Sequence, residues 1–347
     1  MSDNPFISVV MPVRNEGRFI ERSLRSVLAQ DYPRNRFEVI VADGMSDDDT
    51  RETIGRLSEV EKVRVIDNPR RIVATGLNLV VREAKGDIIV RVDGHCEIAS
   101  DYLRLCATLL EQGKADCVGG PLETIGETIS AQAIAVGMSS PFGVGGSTFR
   151  IGASTEKYVD TVAFPAYKRD TLQRVGEFDE ELVRNQDDEY NYRLRKLGGK
   201  ILLSPEIRAR YYSRATFIRL CKQYFQYGYW KVRVMQKHPR QMQPRQFVPA
   251  IFVLWLFSLA VLSPIVKGAL IVLFASLAIY GVTAVIASVL AAARSGWRLL
   301  PLLPFSFLTI HVSYGFGFLM GLIVFWNRWE RSDRAKTVQT SRDAASM

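Results

Sequence analysis

Cysteine and histidine are scarce in this chain of 347 residues, with four of the first and three of the second. None of Cys96, Cys106, Cys117 and Cys221 forms a C-x-x-C pair, which argues against a disulfide framework or a zinc site. Reduced thiols in a cytosolic setting are the expectation. The opening stretch MSDNPFISVV has no basic segment leading into a long apolar core. No cleavable signal peptide is therefore expected, and the first half is expected to stay on the cytosolic side. Acidic residues are outnumbered, 36 Asp and Glu against 45 Lys and Arg, for a net charge of +9. A basic balance favours anionic partners such as nucleic acid, anionic lipid or phosphorylated substrates. Mean hydropathy is only +0.03 although 48% of the residues are hydrophobic. A mean this neutral can combine a polar soluble half with an apolar one.

At roughly 150 residues per domain the length suggests about two structural units. From Ile7 to about Pro205, short apolar runs alternate with helical spacing. Strands are expected at Ile7–Met11, Phe37–Ala42, Val63–Ile66 and Asp87–Val92, and helices at Glu16–Gln30, Thr50–Leu57 and Ala74–Ala84. This order predicts βαβ units and a mostly parallel, covered sheet, an α/β fold whose ligands bind beyond the carboxyl ends of the strands.

After Arg208 the character changes. Through Arg245, Lys and Arg are interleaved with Tyr211, Tyr212, Phe217, Tyr224, Phe225, Tyr227, Tyr229 and Trp230. Such a mixture suits a membrane surface, where rings sit at headgroup depth and cations meet anionic lipid. Apolar runs 247–266, 269–292 and 299–326 follow. Each approaches or exceeds the ~20 residues needed to cross a bilayer. The third contains Pro301, Pro304, His311 and several glycines, and is open to a re-entrant or broken path. The expected division is a catalytic domain over 1–207, an interfacial segment over 208–246, a membrane domain over 247–330 and a polar tail over 331–347. Because the basic aromatic segment adjoins apolar runs, membrane lipid rather than nucleic acid is the expected anionic partner.

Three acidic groups stand where an α/β site would need them. Asp43 ends the second strand, where a carboxylate can accept hydrogen bonds from a base or ribose; Asp-Gly-x-Ser is also ordinary turn chemistry. Asp93-Gly94-His95 follows the fourth strand. An oxygen and a nitrogen donor two residues apart suit Mn²⁺ or Mg²⁺ bound mainly through substrate phosphates. Asp187-Asp188-Glu189 fits a solvated helix start, or a general base beside a metal–diphosphate centre.

Together these motifs resemble family 2 glycosyltransferases, which have the GT-A fold. Val9-Val10-Met11-Pro12-Val13-Arg14-Asn15-Glu16 is similar to that family's first-strand motif, and Val39–Thr50 to its strand ending in D-G-S-x-D-x-T. Asp93-Gly94-His95 occupies the place of its D-x-D. Gln186-Asp187 occupies the place of its E-D, with Arg193 and Gly198 following. The match runs over about residues 5 to 210. The resemblance implies a nucleotide-sugar donor site around Pro12, Val13, Arg14, Glu16, Asp43, Asn78 and Asp93. It further implies a divalent metal at Asp93 and His95, and an inverting displacement with Asp187 as base and Asp188 as its rival. His95 and Gln186 depart from the family pattern.

A narrower resemblance, carried by the D-x-H variant, Arg184–Glu189 and Gln223–Lys231, is to exopolysaccharide glucosyltransferases of the succinoglycan type. It implies transfer of a single glucose from UDP-glucose to a polyprenyl-diphosphate-linked saccharide. The enzyme would be a multi-pass protein of the inner membrane with its catalytic domain in the cytosol. Gln226, Tyr229 and Trp230 resemble the Q-x-x-R-W of processive synthases, with tyrosine replacing arginine, and would serve the acceptor or the membrane interface. A processive synthase and a catalytically degenerate membrane scaffold are the competing readings.

Overall fold

The computed structural model describes residues 4–60, 63–213 and 216–329. It divides into two units, 1–217 with 287–307, and 218–286 with 308–347. The tail predicted at 331–347 lies outside the described residues.

The first unit opens as expected. β1 (Ile7–Val13), α1 (Ile20–Leu28), β2 (Phe37–Asp43), α2 (Thr50–Val60), β3 (Val63–Asp67), α3 (Val73–Glu83) and β4 (Ile88–Arg91) alternate. β1 runs parallel to both β2 and β4, and β2 parallel to β3, so the strand ends at Val13, Asp43 and Asp67 lie side by side. All seven residues of β1 are buried, as a strand covered on both faces requires. One face is closed by Val10, Ile40 and Ile89 with Ala74, Leu77 and Val80 of α3. On α1 the buried residues are Ile20, Ser23, Leu24 and Val27, the i, i+3, i+4, i+7 pattern of one helical face.

α1 starts four residues later than its apolar spacing suggests. Asn15 adopts a left-handed φ of 54°. The backbone N–H groups of Asn15, Glu16 and Gly17 donate to Ser46, Thr50 and Asp48 side chains at 2.9, 2.7 and 3.0 Å. These bonds between two loops replace the first helical turn.

Beyond β4 come β5 (Cys96–Ile98), α4 (Tyr102–Glu111), β6 (Cys117–Gly120), β7 (Leu122–Ile125), α5 (Ile129–Met138) and the single turns α6 (Pro141–Val144) and α7 (Thr148–Ile151). They are followed by β8 (Lys157–Tyr158), β9 (Ala163–Lys168), α8 (Arg169–Val175), α9 (Gln186–Lys196), β10 (Ile201–Leu203) and β11 (Ala209–Tyr212). The large sheet has the order β3-β2-β1-β4-β9-β6-β10-β8, and a small one β5-β11-β7. β9 lies antiparallel between β4 and β6. The Asp93–His95 turn therefore links the two sheets. β11, expected in the interfacial segment, belongs to this first unit.

Residues 287–307 also belong here. Ala292, Leu299, Leu303 and Phe307 bury against Ala133 of α5, Phe142 meets Phe307 edge to face at 5.0 Å, and Arg298 donates to Gln132 Oε1 at 3.1 Å.

The second unit is built from α10 (Phe217–Lys237), α11 (Val248–Leu262), α12 (Ala269–Ser295) and α13 (Leu303–Val324), the last two also entering the first unit. Among the described residues α12 and α13 are the helices long and apolar enough to cross a membrane. α13 is continuous; Pro304 sits in its first turn, where no backbone donor is lost. α11, expected to be a third span, has 15 residues. At 1.5 Å per residue that is about 22 Å, short of a ~30 Å hydrocarbon core; Ser263-Pro264 follows its end. Glycines allow close packing between these helices: a Cβ at Gly317 would lie 2.1 Å from the Phe225 carbonyl, and one at Gly321 2.6 Å from that of Tyr229. Arg233 and Gln236 donate to the carbonyls of Arg328 and Phe325 at 2.7 and 2.6 Å, capping the end of α13.

Candidate active site

Asp93 leaves β4 directly after Val92, whose N–H still bonds to the Val10 carbonyl at 3.0 Å. Ser23 on the buried face of α1 donates to the Asp93 carbonyl at 3.0 Å, so helix packing positions the turn. The Asp93 carboxylate receives Arg91 Nε at 2.9 Å on one oxygen and Nη2 at 3.3 Å on the other. Arg91 is the last residue of β4 and is buried. Burial disfavours its charge, yet Asp93 and Asp187 outweigh burial and raise its pKa above the ordinary value. For Asp93 burial works upward, but Arg91, His95 and Arg184 hold it below the usual carboxylate range. Arg91 is paired with Asp93 and also feels the charge of Asp187, although 94 positions separate the two carboxylates in the chain.

Asp187 sits in the first turn of α9, after Asn185 in the left-handed region at φ 63°. Its Oδ1 accepts the Asp188 N–H at 2.9 Å. Its charge adds to that of Asp93 in favouring the charged form of Arg91, and adds to burial in raising the pKa of Tyr167. The acidic run is a helix start, and the charge of its first carboxylate also acts on Arg91. Glu189 turns inward to Arg193 at 2.7 Å. Gln186 is buried with Oε1 lacking a hydrogen-bond partner among the described residues; a glutamate there would carry a charge into a buried position.

His95 points its Nδ1 at Glu16 Oε1, 2.8 Å away. Sequence reasoning placed both residues at the site but did not pair them. It also passed over Arg91, whose signal was a cation inside the apolar run Ile88–Val92.

Other expected residues serve the surrounding loops. Asp43 is fully buried, takes the Ser46 hydroxyl at 2.6 Å and pairs with Arg51 at 3.3 Å. Pro12 and Val13 are buried in β1, and Arg14 is exposed at its end. Asn78 Nδ2 donates to the Phe178 carbonyl at 2.9 Å and to Glu180 at 3.0 Å, while its Oδ1 accepts the Phe178 N–H at 2.9 Å. It ties α3 to the segment leading into α9. In the second unit Tyr229 and Trp230 pack on Phe325 with centroids 4.7 and 5.6 Å away, and Gln226 is half-buried on α10.

The family model for glycosyl transferase family 2 matches residues 8–152. The succinoglycan biosynthesis protein ExoA of Rhizobium meliloti is 34% identical over 234 residues, covering 66% of this chain and 70% of that protein. The chain belongs to glycosyl transferase family 2. A dolichyl N-acetyl-α-D-glucosaminyl phosphate 3-β-D-2,3-diacetamido-2,3-dideoxy-β-D-glucuronosyltransferase of Methanococcus voltae is 30% identical over 241 residues, 67% of this chain and 74% of that one. A solved mannosyltransferase from Pyrobaculum calidifontis, in complex with GDP-Man and Mn²⁺, superposes with a TM-score of 0.58 at 21% identity, over 92% of this chain and 88% of that one. Its likeness carries the GT-A fold to this hexosyltransferase.

Proposed function

We propose that this family 2 enzyme transfers a single glucose from UDP-glucose, with inversion, to a saccharide carried on polyprenyl diphosphate, in exopolysaccharide or cell-surface glycan assembly. The observation that carries the reading is Asp93 at the end of β4, paired with the buried Arg91, with the charge of Asp187 also acting on that arginine. Asp187 accepts the proton of the acceptor hydroxyl. The hydroxyl oxygen attacks the anomeric carbon, and the bond to the diphosphate breaks with its electron pair leaving on UDP. Arg91 keeps Asp93 ionised and oriented through the step.

The donor set fits a divalent ion. Asp93 offers a carboxylate and His95, two residues on, an imidazole, and no group of three or more His, Cys, Asp or Glu side chains placed to hold a metal exists among the described residues. Two protein donors suit Mn²⁺ or Mg²⁺ completed by substrate phosphates; the Mn²⁺ in the P. calidifontis complex supports the same class. When bound, the ion supplies charge neutralisation of the departing diphosphate. The names of the Rhizobium and Methanococcus relatives support a lipid-linked glycan acceptor. The two spanning-length helices support anchoring, and their connection, with Arg294 and Arg298, folds with the catalytic unit. Basic loops favour the cytosolic face, which supports a cytosolic active site in the inner membrane.

The purified full chain in detergent, given UDP-glucose, Mn²⁺ and lipid-linked oligosaccharide, is expected to release UDP and yield a product one hexose heavier by mass spectrometry. Wild-type transfer by both Asp93→Ala and Asp187→Ala would refute the site; a long polymer would refute single addition.

A further inference from the structure

The pairing of Glu16 with His95 has a consequence beyond donor contact. Both side chains are largely buried, 16% and 12% exposed. The Glu16 backbone is fixed on both sides: its N–H donates to Thr50 Oγ1 at 2.7 Å, and its carbonyl accepts the Phe19 and Ile20 N–H groups at 2.8 Å. An ionised carboxylate only accepts hydrogen bonds, so the shared proton sits on His95 Nδ1 and the lone pair is left on Nε2. Tyr211 stands edge-on to the imidazole, centroids 5.1 Å apart, and limits its tilt. Gly94 makes the pairing possible. A Cβ at that position would lie 3.0 Å from Glu16 Cγ and 3.3 Å from Glu16 Cβ. That is closer than ordinary van der Waals contact, and Val13 Cγ1 also lies 3.0 Å away, so a side chain at 94 would press on Glu16 with Val13 closing the other side.

We infer that Glu16 is a positioning residue for the metal rather than a nucleoside contact: it sets the tautomer and direction of His95 so that Nε2 is presented to the divalent ion. The inference rests on the metal reading of Asp93 and His95 given above. Carboxylates behind metal-binding histidines change affinity by about 10–100-fold when removed. The small glycine between Asp93 and His95 then leaves room for the methylene stem that carries the carboxylate.

The test is Mn²⁺ affinity of the full-length detergent-solubilised protein with UDP, read from the free-ion EPR signal, which does not require turnover. Glu16→Ala is expected to weaken Mn²⁺ binding about 10–100-fold. Glu16→Gln, whose amide oxygen still accepts from Nδ1, should lose less, and Gly94→Ala should fall between wild type and Glu16→Ala. In a His95→Asp background, Glu16→Ala should no longer weaken binding. With only three histidines in the chain, selective ¹⁵N labelling reads the tautomer directly in the metal-free protein. His95 should carry its proton on Nδ1, and Glu16→Ala should abolish that preference. If His95→Ala weakens binding but Glu16→Ala does not, the positioning role is wrong. An equal loss from Glu16→Ala in the His95→Asp background also overturns it. If His95→Ala binds Mn²⁺ as wild type does, the metal reading itself fails, and the ¹⁵N spectra still judge the Glu16–His95 pairing.

Discussion

Replacing Arg91 with methionine tests whether the buried cation organises the two carboxylates. The Arg91 side chain is 10% exposed and that of Asp93 22%, so neither is well solvated. Removing one partner of a buried pair costs about 3–5 kcal/mol, because the other charge is left uncompensated. In a catalytic unit of this size each kcal/mol moves the melting temperature by about 2–4 °C; the expected drop is therefore roughly 6–20 °C. Asp93→Asn should cost less, because Arg91 still feels the charge of Asp187, while Arg91→Met takes from Asp93 its hydrogen-bonded partner and leaves only the fields of His95 and Arg184. The effect should also depend on pH. In the wild type Asp93 is held below the usual range, so it contributes stability above its unfolded pKa and loses it as pH falls through its folded value. In Arg91→Met the upward push of burial loses its main opponent, and Asp93 folds best when protonated. The gap between the two proteins should be widest near neutral pH and narrow on acidification toward pH 4. Differential scanning fluorimetry of the full chain in detergent from pH 4 to 8 measures this. A cost below about 1 kcal/mol, the range of exposed pairs, or a gap insensitive to pH, would refute the reasoning.

Asp187→Asn should lower the transfer rate about 10²–10⁴-fold, the usual contribution of general-base catalysis, with UDP binding by calorimetry retained. Asp188→Asn should fall less than tenfold, and the reverse order would move the base to Asp188. Phe307→Ala, which empties a fully buried position against Phe142, should destabilise the unit by about 3–5 kcal/mol; unchanged melting would mean that the 287–307 segment is not docked in solution.

The first four strands and three helices were legible because a covered parallel sheet writes its strands as continuous apolar runs. Asp93 and Asp187 were legible as acidic residues beyond strand and loop ends. The insertion of β9 between β4 and β6 was not, since Ala163–Lys168 pairs with strands far away in sequence and periodicity carries no partner information. Arg91 and the Glu16–His95 pair were hidden for the same reason: a cation's partners depend on which strand ends converge. Hydropathy likewise cannot distinguish a side chain buried in lipid from one buried in protein. Leu299, Leu303 and Phe307 read as part of a membrane run, yet pack against α5. The run 247–266 looked long enough to cross, but the helix within it ends at Leu262.

The docking of residues 287–307 on α5 also sets an order of assembly. Arg298 and Gln132 are 166 residues apart. At synthesis rates of about 5–20 residues per second, α5 leaves the ribosome roughly 8–33 s before the segment that binds it. The receiving surface is therefore made first, and the hairpin of α12 and α13 arrives to a face already in place. A catalytic unit that folds too slowly would present no such face, and its fault would surface as an undocked 287–307 segment rather than as a misshapen active site.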